Sequence, residues 1–124
     1  MSTELPTVER SKEFAKTVIP LMKEFGNKLN LLADHALELR QSFDAADTSD
    51  KRPLLFLQRK YAINWQRFDA LEPAVMNLAR NVSQMIEHGD LDDLTRLELQ
   101  LRLAEFEDSI RSTRDTITMA SPGR

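Results

Sequence analysis

The chain has 124 residues, 17 Lys and Arg against 20 Asp and Glu, 41% apolar residues and no cysteine. That length suits one domain spanning 1–124 that buries a core without disulfide or structural metal, and the missing cysteine excludes disulfides, thiolate nucleophiles, Cys-ligated zinc and iron–sulfur chemistry. The net charge of −3 argues against whole-surface attraction to nucleic acid or anionic lipid. With no secretory-type start and no membrane-length apolar run, the expectation is a cytoplasmic protein that makes no membrane contact.

Apolar residues recur at spacings of three and four from Ala15 through Val18, Met22, Phe25, Leu29, Leu32, Ala36 and Leu39 to Phe43. That interval keeps one helix face continuously apolar, where a strand would alternate every second residue. Pro6 suits a first turn, and the polar run Asp47-Thr48-Ser49-Asp50 is a stop, which predicts a first helix over about 7–45.

Asp50 then serves as a cap and Pro53 as a first-turn residue for a second helix over about 53–88. Its stripe runs from Leu54 through Leu57, Tyr61, Asn64, Phe68, Leu71, Val75, Leu78 and Val82 to Met85, and His88-Gly89 closes it, with Gly89 expected in the left-handed conformation. Asp90, Asp92 and Asp93 place negative charge at the start of a third helix. The third stripe comprises Leu99, Leu103, Phe106, Ile110, Thr113 and Ile117, and residues 1–6 and 119–124 are expected to fray.

Pro20 and Pro73 fall inside the first two helices, where each removes one backbone hydrogen bond. The apolar spacing passes both prolines in phase, so kinks are expected rather than breaks, with five shorter helices as the alternative. The expected fold is an all-α, elongated, up-down-up antiparallel three-helix bundle. Helices 1 and 3 then run parallel, which brings Lys12, Lys16 and Lys23 towards Asp92, Asp93, Glu98 and Glu105.

The third helix carries a second apolar series, Leu94, Leu97, Leu101 and Ala104, about half a turn from its core stripe. One helix of a three-helix monomer cannot bury both faces. A protein interface is therefore expected there, either in a homodimer or with a different protein, and Leu55, Trp65 and Met76 are candidate extensions of it. The corresponding function is a non-enzymatic interaction module: an adaptor, a chaperone-like subunit or an assembly component.

Two other classes follow from other residues. Lys51, Arg52, Arg59, Lys60 and Arg67 against Asp69 give a charge of +4 over 51–69, which suits phosphate contact by a nucleic-acid-binding regulator, with Arg111 and Arg114 expected near the same end. Asn64 is a polar residue in an apolar stripe, read as a register pin. A small-ligand or metal-binding bundle would instead use Asn64 with Tyr61 and Trp65 as walls and Gly26 opening space opposite. The spacing of Asp34, His35 and Glu38 against Glu87, His88 and Asp90 does not match paired Glu-x-x-His turns, and neither a catalytic constellation, a metal nor a cofactor is expected.

Overall fold

The computed structural model describes residues 4–46, 49 and 51–120, with side chains described from Glu9 onward. Each apolar stripe becomes one helix: α1 (Glu4–Ala45), α2 (Lys51–His88) and α3 (Asp93–Met119). All three pairs of helices pack against one another, and there is no strand among the described residues. α1 begins three residues ahead of the expected start and α3 runs through Met119, so residues 4–6 and 119 are helical rather than frayed. Asp47, Thr48 and Asp50, with the cap expected of Asp50, and the tail 121–124 lie outside the described residues.

Pro20 and Pro73 interrupt neither helix, which excludes the five-helix alternative. Both prolines are exposed, so the carbonyls they leave without an N–H partner, those of Lys16 and Asp69, lie on the outer side where water can serve them. The three stripes meet in one core: Val18, Met22, Leu29 and Ala36 from α1, Phe68, Val75 and Val82 from α2, and Leu99, Phe106, Ile110 and Ile117 from α3.

Register is fixed by side chains that reach backbone atoms of a neighbouring helix. Asn64 Nδ2 donates to the Leu32 carbonyl at 3.2 Å, Thr113 Oγ1 to the Leu29 carbonyl at 3.3 Å, and the Asp92 N–H to Ser11 Oγ at 3.0 Å. The two α1–α3 pairs make those helices parallel, and the short connections either side of α2 make it antiparallel to both. At the opposite end of α3 the Tyr61 hydroxyl donates to the Ile117 carbonyl, and Arg114 pairs with Glu72 at 2.5 Å. At about 1.5 Å per residue, α3 ends near the level of Ala36, and α1 and α2 continue beyond it as a helical hairpin.

The α2–α3 turn corrects one expectation. Gly89 does not adopt a left-handed φ; it is needed because a Cβ there would collide with the Met85 carbonyl oxygen and Sδ. Its N–H still closes α2 on the Met85 carbonyl at 2.8 Å. Asp92 then caps α3 from an extended conformation, its Oδ2 accepting from the Thr95 N–H at 3.4 Å. Arg96 donates back to the Gly89 and Leu91 carbonyls, which satisfies the turn that its own helix leaves behind.

Candidate protein interface

The second apolar series of α3 points into solvent. Leu94 is 79% exposed, Leu97 54% and Leu101 60%, with Ala104 exposed beside them, while the core series Leu99, Leu103 and Phe106 is buried. No described part of α1 or α2 folds over this face. Completing the burial of the three leucines is worth about 1–2 kcal/mol each, which the isolated chain forgoes. At its N-terminal end the strip adjoins a groove between α1 and α3 of about 580 Å³, walled by Ala15, Ile19, Pro20 and Leu94. Lys12 and Lys16 line that groove with Asp92 and Glu98, yet no ion pair joins them among the described residues.

Two of the expected extensions of the interface, Trp65 and Leu55, do not join it. Trp65 is half-buried, its ring stacked on Phe68 at a centroid distance of 5.8 Å, so it belongs to the edge of the core. Leu55 and Met76 are exposed. Leu55 lies six residues before Tyr61, which meets Ile117 near the C-terminal end of α3, so it sits about 33 Å from Leu101 along the axis.

The basic residues Lys51, Arg52, Arg59, Lys60 and Arg67 are all exposed. Arg111 and Arg114 do not join them: Arg111 pairs with Asp108 on its own helix and Arg114 with Glu72, about level with the middle of α2. Among the basic residues sit apolar side chains that the periodicity did not single out. Phe56 is 57% exposed and Ile63 47%, and with Lys60 and Arg67 they form a stripe at spacings of four, three and four. The Lys60 ammonium lies 4.9 Å from the Phe56 ring centroid, a cation–π contact that holds both against the helix.

This stripe leads into a groove of about 460 Å³ between α1 and α2, with Leu31, Leu32 and Leu71 as walls, Lys28, His35 and Arg67 at its rim and Asn64 among its lining. Asn64 is buried as a register pin requires, and its Oδ1 has no hydrogen-bond partner. The pocket expected around it is differently made. Tyr61 turns to α3, Trp65 packs on Phe68, and Gly26 opens onto the α1–α3 groove with nothing within 4 Å of a Cβ built there. His35 sits 4.0 Å from Glu38 and His88 3.6 Å from Glu87, and no three His, Asp or Glu side chains converge on a metal-sized site among the described residues. Nor is any helix of the described residues long and apolar enough to cross a membrane.

The chain matches no protein-family model, no curated protein and no solved structure.

Proposed function

We propose that this chain is a non-enzymatic protein–protein interaction module, an assembly or adaptor subunit, that self-associates through the outer face of α3. The observation that carries the reading is the exposed series Leu94, Leu97 and Leu101 on a helix whose opposite face is already committed to the core. Three leucines on one helical face offer a partner several kcal/mol of burial, and their regular spacing supplies a straight ridge that a second surface can receive.

Leu97→Glu combined with Leu101→Glu tests the reading. Both positions are more than half exposed, so the double variant keeps the helical signal and melting behaviour of the parent. It should elute and scatter as a 14.3 kDa monomer under conditions in which the parent associates. Association unchanged in the double variant would refute an α3 interface.

A further inference from the structure

We infer that the outer face of α3 docks on the groove between α1 and α2 of a second copy, so that chains associate head to tail rather than α3 against α3. The inference rests on the self-association proposed above and names the surface that receives the leucine ridge.

Charge decides between the two arrangements. Residues 90–108, which carry the ridge, hold seven carboxylates against two guanidiniums, a net charge of −5. One of those guanidiniums, Arg96, is turned to the Gly89 and Leu91 carbonyls, and the other, Arg102, lies 3.8 Å from Glu105. Asp93, Glu98, Glu105 and Asp108 flank the ridge and are exposed, so laying two such faces together in a two-fold pair sets these carboxylates against their own copies. Residues 51–69 carry +4, and the single carboxylate among them, Asp69, lies on a different face of α2 from the Phe56–Arg67 stripe. On the facing helix Glu24 offsets Lys28 and Glu38 lies beside His35, so the positive charge of the receiving surface comes from α2.

Apolar chemistry matches in the same way. The ridge presents exposed leucines within an acidic surround; the receiving surface presents exposed Leu31, Phe56 and Ile63 within a basic one. Its groove adds the half-buried Leu32 and Leu71. Arg67 makes no ion pair among the described residues and is available to a partner's carboxylate at the groove rim. Each copy then buries an apolar strip while opposite charges meet at the border, an arrangement that favours correct over incorrect pairing. Because α1 and α2 place this groove on the side of the bundle away from α3, each chain retains one free ridge and one free groove. Such heterologous contacts form rings or open chains rather than a closed dimer.

Mixing two variants tests the inference. One carries Leu97→Glu with Leu101→Glu and has lost the ridge; the other carries Phe56→Glu with Ile63→Glu and has lost the apolar stripe of the receiving surface, every change falling at an exposed position. Head-to-tail docking predicts that each variant alone is monomeric by light scattering. Mixed in equal amounts, they form a complex of twice the 14.3 kDa chain mass, because each supplies the surface the other lacks. Raising salt from 50 to 500 mM should weaken that complex at least tenfold, since the matching charges are exposed. A groove variant that self-associates as strongly as the parent, with no new complex on mixing, would overturn the head-to-tail arrangement and leave the α3 interface standing. A parent that stays monomeric at every concentration would overturn both. If the parent binds an oligonucleotide at low salt and Arg59→Glu with Lys60→Glu abolishes that binding without affecting self-association, the basic face belongs to nucleic acid and the inference fails.

Discussion

Asn64 of α2 and Thr113 of α3 donate to carbonyl oxygens three residues apart on α1, those of Leu32 and Leu29. Two buried polar side chains from different helices thus grip one turn of the third, at the level where all three core stripes meet. Their contributions to stability differ. Thr113 gives one satisfied hydrogen bond, and Thr113→Val should cost about 1 kcal/mol. Asn64 gives one bond but buries Oδ1 without a partner, so Asn64→Leu should leave the melting temperature unchanged or raise it. Asn64→Asp places a carboxylate in the same site and should cost about 3 kcal/mol or more at pH 7. Thermal melts of the three variants check the order. A large loss in Asn64→Leu would mean that the amide contributes more than its one bond.

The two described glycines respond oppositely to one methyl group. Gly26 lies inside α1 with open space where a Cβ would go, so Gly26→Ala should stabilise the fold by about 0.5–1 kcal/mol through helix propensity alone. Gly89→Ala forces the added methyl against the Met85 backbone carbonyl, and the end of α2 must shift to accept it. A loss of about 1–3 kcal/mol is expected, measured by denaturant midpoint at unchanged slope.

The Asp92 cap makes part of the stability acid-sensitive. Hydrogen bonding from the Thr95 side chain, then from Ser11 and the Thr95 N–H, holds the Asp92 carboxyl below its usual 3.8 against the opposing effect of desolvation. A carboxyl depressed on folding stabilises the folded state fully above its unfolded value, and that contribution disappears as pH falls through the folded one. Asp92→Asn keeps a capping oxygen but removes the titration. The stability gap between parent and variant should therefore be constant from pH 5 upward and shrink below pH 4. A gap that stays constant down to pH 2 would contradict the account.

The core was legible in the order of residues, for a physical reason. Burial in a long helix requires the three-four interval, and Leu99, Leu103, Phe106, Ile110, Thr113 and Ile117 carry it without a gap and are all buried. The leucine ridge was legible on the same principle, because Leu94, Leu97 and Leu101 repeat that interval half a turn away. Interactions that depend on rotation and register between helices left no such trace. Glu72 and Arg114 are 42 residues apart and meet only once α2 and α3 are set against each other. Phe56, Ile63 and Leu31 read as isolated apolar residues on polar faces, and only the α1–α2 packing shows that Leu31 lines a groove into which the Phe56–Arg67 stripe runs. The same register separates Leu55 from the ridge it is expected to extend. Gly89 was identified correctly as a stop, but close approach to Met85, rather than backbone handedness, requires it.

The parent chain's absolute mass as a function of concentration, by light scattering on size-exclusion fractions, tests the central claim most directly. The account predicts a weight-average mass that rises above the 14.3 kDa of one chain with concentration and returns to it in Leu97→Glu with Leu101→Glu. A parent mass fixed at one chain across the concentration range would contradict self-association through α3.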